Sequence, residues 1–277
     1  MTVKKQNFFN TFFACIKFGL FWIAVVLQIP IVLLLPKGKA SVWYMRVFMG
    51  ILLGLTGIRI IKHGKLSQSR PLLVISNHIS LFEITTFPVA FGGSFVAKKE
   101  IESWPLVGWF AKKFGVIFVD RRPSHAIEAL QAVQEKVSAV KYPMFLFPEG
   151  TTTNGSYVKA FKSTLFNFVE DSDVTVQPMV MNYRFKDGSV IPDEDLAEHF
   201  AYFANDKQDK GPLCSKERSA FGQVFHIMVI GGFYVEITLL PPPSLDGKDR
   251  KEIALIMQKI ISDKYMELKN KKLNIKR

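Results

Sequence analysis

The stretch PLLVISNHISLFE, residues 71–83, decides how the rest of the chain is read. Its first half is a short, unbroken apolar run, the pattern of a strand buried on both faces of a parallel sheet. Its second half breaks into Asn-His-x-Ser and delivers a carboxylate, Glu83, five residues after His78. Ser80-x-x-Glu83 has the spacing of a capping box, so a helix is expected to start just after Ser80. That start leaves His78 on the preceding turn and Glu83 in the first helical turn. There the carboxylate can accept from one imidazole nitrogen, and the other is left to take a proton. Were both residues helical, five positions would turn them about 140° apart and the pair could not form.

Outward from this stretch, candidate strands at 71–76, 94–97, 115–119, 143–147, 174–181 and 232–240 alternate with helical patterns. Ile127, Leu130, Val133, Val137 and Val140 mark one core-facing helical stripe, and Ile253, Ile256, Met257, Ile260 and Ile261 mark another. The alternation predicts an α/β domain with a mostly parallel central sheet flanked by helices. Residues 184–220 carry mixed charge and turn formers and are expected to form a polar surface excursion with one short helix. The basic end, KNKKLNIKR at 269–277, reads as a solvated terminus or a contact with lipid.

Towards the N-terminus the composition changes. Residues 18–35, FGLFWIAVVLQIPIVLLL, hold no charge and as a helix would span about 27 Å, just enough to cross a bilayer. The next apolar stretch, 47–58, would reach about 18 Å, too short to return. These lengths predict a membrane-embedded helical hairpin over residues 1–61 that re-enters one leaflet, followed by the α/β domain over 62–277. Lys4 and Lys5 precede the pair, Lys37, Lys39 and Arg46 interrupt it, and Arg59, Lys62 and Lys65 follow, so basic charge favours neither side. The apolar start is too long for the core of a signal peptide, and no small-x-small cleavage site precedes Pro36.

The 277 residues include 25 phenylalanines and carry a formal charge of +12. With no aromatic-plus-basic RNA motif, zinc spacing or helix-turn-helix signature, that charge is assigned to an anionic phospholipid surface and not to nucleic acid. Such a surface contributes about 1 kcal/mol per nearby Lys or Arg. The two cysteines, Cys15 and Cys214, form no legible disulfide framework, which points to a reducing compartment and a domain on the cytoplasmic face of the membrane.

In open α/β sheets the ligand crevice lies beyond the carboxyl ends of the strands. Three predicted strand ends carry polar clusters: LLVISNHISLFE with His78 and Glu83, GVIFVDRR with Arg121 and Arg122, and MFLFPEGT with Glu149, Gly150 and Thr151. Together they offer a base with an orienting acid, cations, and a turn rich in hydrogen-bonding groups.

NHISLFE resembles the Asn-His-x4-Asp block of the glycerolipid acyltransferase family, which includes 1-acylglycerol-3-phosphate and other lysophospholipid acyltransferases. GVIFVDRR, FPEGTTTNG and VQPMVMN resemble its second, third and fourth blocks, in the same order, over about residues 40–240. The resemblance implies acyl transfer from an acyl-CoA or acyl-carrier-protein thioester to a lysophospholipid hydroxyl, foremost 1-acylglycerol-3-phosphate, with another headgroup as the alternative. It implies that His78 is the general base and Glu83 its partner, that Arg121 holds the acceptor phosphate, and that Glu149, Gly150 and Thr151 position the glycerol. Lys98 would assist an anionic donor or acceptor. No metal or other cofactor is implied. Two departures stand out: Glu83 occupies the family's usual aspartate position, and Thr152 replaces the arginine that often follows Phe-Pro-Glu-Gly-Thr. A membrane lipid-binding protein with a decayed site, and a serine or cysteine lipid hydrolase, stay open on the residues alone.

Overall fold

The computed structural model describes residues 7–36, 38–104, 107–119, 126–170, 172–201 and 218–273, with the side chains of 126–132 also outside the description. The chain starts with two helices, α1 (Phe8–Leu34) and α2 (Lys39–Thr56), and enters the sheet at β1 (Arg59–His63). Then follow β2 (Leu72–Ser76), α3 (Glu83–Phe91), β3 (Ser94–Lys98), α4 (Val107–Lys113), β4 (Ile117–Val119), α5 (Ala126–Ala139) and β5 (Met144–Leu146). The second part comprises β6 (Thr175–Arg184), the single turn α6 (Asp193–Asp195) continued by π-helical Leu196–Phe200, α7 (Ala220–Ile230), β7 (Tyr234–Leu239) and α8 (Arg250–Lys269).

The seven strands lie in the order β1-β7-β6-β2-β5-β3-β4. Every pairing is parallel except β6 with β7, so the sheet is mostly parallel, as the alternation of elements predicts. β2 sits in the middle, between β5 and β6, and all five of its residues are buried. The carboxyl ends of β2, β3, β4, β5 and β6 therefore share one edge. The chain moves outward from β2 to β3 and β4, returns to β5, and crosses to β6 on the other side of β2. That reversal around β2 is where an α/β sheet opens a crevice.

Differences from the sequence reading have local causes. The sequence reading expects no strand before residue 71, whereas Arg59–His63 pairs along its whole length with β7 as the edge strand. β6 runs on to Arg184, whose guanidinium is buried because Glu236 (2.9 Å) and the Leu268 and Lys269 carbonyls at the end of α8 satisfy it. The expected surface excursion is folded onto the domain as far as it is described. Ile191, Leu196, Ala197 and Phe200 are buried, and 202–217 lie outside the described residues.

α1 is longer than the uncharged run, because Asn7 caps it ahead of that run by accepting from the Asn10 N–H at 2.8 Å. Its 27 residues span about 40 Å. It is long and apolar enough to cross a membrane. Among the residues it turns inward, Ala14, Phe18, Phe21, Val25, Gln28 and Val32, with Leu35 at its cap, alternate steps of four and three, the spacing of a helix–helix seam, and Trp22 and Ala24 pack beside them. Phe18 meets Phe225 and Trp22 meets Phe221 of α7, with ring centroids 5.4 and 4.7 Å apart. Gln28 in the seam accepts from the Tyr44 hydroxyl of α2. Lys113 of α4 donates to the Leu33 and Leu35 carbonyls, both at 3.2 Å, and so occupies the negative end of the α1 dipole. α2 buries Val42, Met45, Phe48, Leu52 and Leu53 and presents Trp43, Val47 and Ile51 outward. Both N-terminal helices thus have one face on the domain and one apolar face away from it.

Candidate active site

The site is built where β2 ends. Asn77, the first residue beyond the strand, is buried and closes two hydrogen bonds on one residue of β6: its side-chain amide donates to the Met181 carbonyl (3.0 Å) and its Oδ1 accepts from the Met181 N–H (2.9 Å). A side chain thereby continues the ladder between β2 and β6 by one rung. His78 follows, and its backbone is held from the β5 side. Its N–H donates to Glu149 Oε1 at 2.7 Å, and its carbonyl accepts from the Thr153 N–H at 2.9 Å.

The imidazole lies flat on Phe147, with ring centroids 4.0 Å apart and planes inclined by 13°. Its Nδ1 meets Glu83 Oε2 at 2.9 Å. A carboxylate on Nδ1 fixes the proton there and leaves Nε2 as the basic nitrogen. Glu83 is wholly buried and saturated with donors. The Ser80 N–H lies 3.0 Å from both of its oxygens, and the Tyr183 hydroxyl donates to Oε1 at 2.5 Å. The predicted capping box is half formed. Glu83 takes the Ser80 N–H, but α3 begins at Glu83, with Phe82 at the cap in helical conformation and no side-chain cap bond.

Glu149 lies deeper than the threonines of its turn. Expected from the resemblance to position the glycerol of an acceptor, it points inward and is fully buried. One oxygen accepts from the His78 N–H and the other from the Lys159 N–H at 2.8 Å. Burial pushes its carboxyl up to about 8 against the favourable pull of those two N–H groups. Gly150 turns the chain at φ 75°, in the left-handed region that glycine occupies without strain, and its N–H closes the turn on the Phe147 carbonyl (3.1 Å). Thr151 is half-buried just beyond it.

Lys98, the last residue of β3, pairs in register with Val119 at the end of β4, so it lies on the same carboxyl edge, outward from β2 past β5. Arg121 lies outside the described residues, as do Asp120 and Arg122. The structure therefore brings His78, Glu83 and Glu149 together and puts Lys98 farther along the edge. Four contributors were not singled out from the sequence. Asn77 and Thr153 stand inside motifs already quoted, and Phe147 opens one. Tyr183 has no local signal, because only the pairing of β6 with β2 brings it to Glu83.

A family model described as Acyltransferase matches residues 57–182. The chain is 30% identical over 198 residues to a lyso-ornithine lipid O-acyltransferase of Pseudomonas aeruginosa, covering 69% of this chain and 67% of that relative. It is 35% identical over 144 residues to a lyso-ornithine lipid O-acyltransferase of Brucella abortus, covering 49% of this chain and 54% of the relative. To a 1-acyl-sn-glycerol-3-phosphate acyltransferase of Neisseria meningitidis it is 32% identical over 117 residues, 42% of this chain and 46% of the relative. The match thus spans about half the length of these last two relatives. In fold it is similar to the crystal structure of the 1-acyl-sn-glycerophosphate (LPA) acyltransferase, PlsC, from Thermotoga maritima, with a TM-score of 0.63 at 19% identity over 99% of this chain and 100% of that one. With two thirds of the Pseudomonas relative matched at 30% identity, the chain belongs to the lysophospholipid acyltransferase family.

Proposed function

We propose that this chain moves a fatty acyl group from an acyl-CoA or acyl-carrier-protein thioester to the free hydroxyl of a lysolipid, with His78 as general base. The observation that carries the reading is the 2.9 Å contact of His78 Nδ1 with the buried carboxylate of Glu83. Nε2 takes the hydroxyl proton as the acceptor oxygen attacks the thioester carbonyl. The C–O bond forms, the C–S bond breaks, and the imidazolium returns the proton to the leaving thiolate. Glu83 fixes the tautomer and stabilises the imidazolium while it exists. A thiolate leaves readily, so no acyl-enzyme is required.

The other roles follow the same reading. Arg121 binds anionic oxygens of the acceptor, Gly150 and Thr151 line the acceptor side of the turn, and Lys98 meets negative charge on donor or acceptor. Glu149 acts through the backbone of His78. The apolar outer faces of α1 and α2 seat the protein on a phospholipid membrane, and the catalytic domain lies on its cytoplasmic face.

Lyso-ornithine lipid is the acceptor we favour. Two thirds of the Pseudomonas relative is matched, and that relative is named for this substrate. Thr152, where the family often has arginine, also removes a cation that a phosphate headgroup would use. A second reading, 1-acylglycerol-3-phosphate, is favoured by the Neisseria relative. Incubating the purified protein with oleoyl-CoA and a panel of labelled lysolipids containing both acceptors tests the proposal. A diacyl product is expected. Free fatty acid without diacyl product would indicate a hydrolase, and neither product would leave a lipid-binding protein.

A further inference from the structure

Tyr183 stands on β6, a hundred positions from Glu83, yet its hydroxyl donates to Glu83 Oε1 at 2.5 Å. The phenol ring is buried against Phe233 (centroids 4.7 Å apart) and Phe200 (6.2 Å), so its own direction is set by packing. β6 is in turn fixed to the histidine turn two residues earlier, through Asn77 and Met181. The hydroxyl therefore reaches Glu83 from a rigid strand.

Glu83 needs such a partner. The terminal torsion of a glutamate is broad, so the backbone alone does not decide which way its carboxylate plane faces. The Ser80 N–H lies 3.0 Å from both oxygens and chooses between neither. Tyr183 distinguishes them: by engaging Oε1 it turns Oε2 towards His78 Nδ1. Aspartate, shorter by one C–C bond of about 1.5 Å, could not hold both contacts from the same backbone position. The unusual glutamate and the buried tyrosine thus explain each other.

We propose that Tyr183 is a positioning residue of the His78–Glu83 pair, aiming the carboxylate at Nδ1, and that Glu83 serves this arrangement through its extra length. Burial, and then the neighbouring carboxylate, push the phenol's ionisation well above its ordinary value, so it stays a donor throughout the working pH range. The inference rests on His78 being the base.

The test uses full-length protein in phospholipid vesicles with oleoyl-CoA and its best lysolipid acceptor. Tyr183→Phe is expected to lower kcat about tenfold, as removal of a partner behind a functional histidine commonly does, with KM for both substrates nearly unchanged. Glu83→Asp is expected to lose a similar factor although it keeps the charge, and the double variant is expected to be no worse than the poorer single one. Wild-type kcat in Tyr183→Phe, or losses that multiply in the double variant, would overturn the proposal. Should Tyr183→Phe not fold, Glu83→Asp decides alone, and full activity there would overturn it. His78→Ala run alongside separates the two layers. Activity in that variant removes the base itself, whereas an inactive His78→Ala beside a fully active Tyr183→Phe removes only the role of Tyr183.

Discussion

Glu149 holds the peptide nitrogen of His78 at 2.7 Å and that of Lys159 at 2.8 Å, one with each carboxylate oxygen, in a fully buried position. The acid of the Pro-Glu-Gly turn therefore fixes where the histidine backbone sits. Its ordinary value of 4.5 rises to about 8, chiefly by burial, so between those two values the folded chain binds more proton than the unfolded one. Stability at this group is then fullest below 4.5 and falls as pH rises towards 8. Glu149→Gln replaces one acceptor oxygen by an amide NH2, a donor that faces a backbone N–H, and should cost about 1–3 kcal/mol in mild acid. That deficit should narrow as pH rises, because the contribution of Glu149 that is lost in this range exists only in the wild type. Urea denaturation of both proteins at several pH values checks it, and parallel curves would refute the account of Glu149.

Ile23 and Phe21 are near neighbours on α1 that face opposite ways, Ile23 56% exposed and Phe21 8%. Ile23→Glu should leave stability within about 0.5 kcal/mol and weaken flotation with anionic phospholipid vesicles. Phe21→Glu puts a carboxylate into the seam and should destabilise the fold by more than about 2 kcal/mol. Equal effects of the two substitutions on vesicle binding and stability would contradict the division of α1 into a domain face and a lipid face.

Arg184 and Glu236 form an ion pair at 2.9 Å with both side chains almost fully buried. The same guanidinium closes the carbonyl end of α8 through Leu268 and Lys269. Arg184→Met leaves Glu236, among the described residues, with the half-exposed His63 at 3.3 Å, and leaves those carbonyls without this donor. A loss of about 3–5 kcal/mol is expected, the usual cost of removing one partner from a buried pair. Chemical denaturation measures it, and a loss under about 1 kcal/mol would show that the pair adds little.

What the sequence made legible follows from which signals are local. β2, β3, β5 and β7 announce themselves as apolar runs bounded by turn formers, and their observed limits fall within two residues of the expected ones. β1 does not, because Arg59 and His63 frame only two apolar residues on an exposed edge directly after an apolar helix. The end of β6 is disguised as loop because Asn-Tyr-Arg is polar, and only Glu83 for Tyr183, and Glu236 and α8 for Arg184, explain how those two side chains can be buried. Within the site, His78 and Glu83 lie close enough in sequence for their pairing to be foreseen. The inward turn of Glu149 and the approach of Tyr183 depend on neighbouring strands, which no spacing along the chain reveals.

In the proposed mechanism His78 is a base oriented by Glu83, and turnover of His78→Ala and Glu83→Gln with oleoyl-CoA and a lysolipid acceptor is the decisive measurement. His78→Ala should lose roughly 10² to 10⁴ in turnover with little change in thermal stability. Glu83→Gln can still accept the Ser80 N–H but carries no charge to stabilise the imidazolium, so its turnover should also fall while the protein stays folded. A folded His78→Ala protein that turns over like the wild type would contradict the mechanism, and a folded Glu83→Gln protein at full turnover would reduce Glu83 to a helix-start contact.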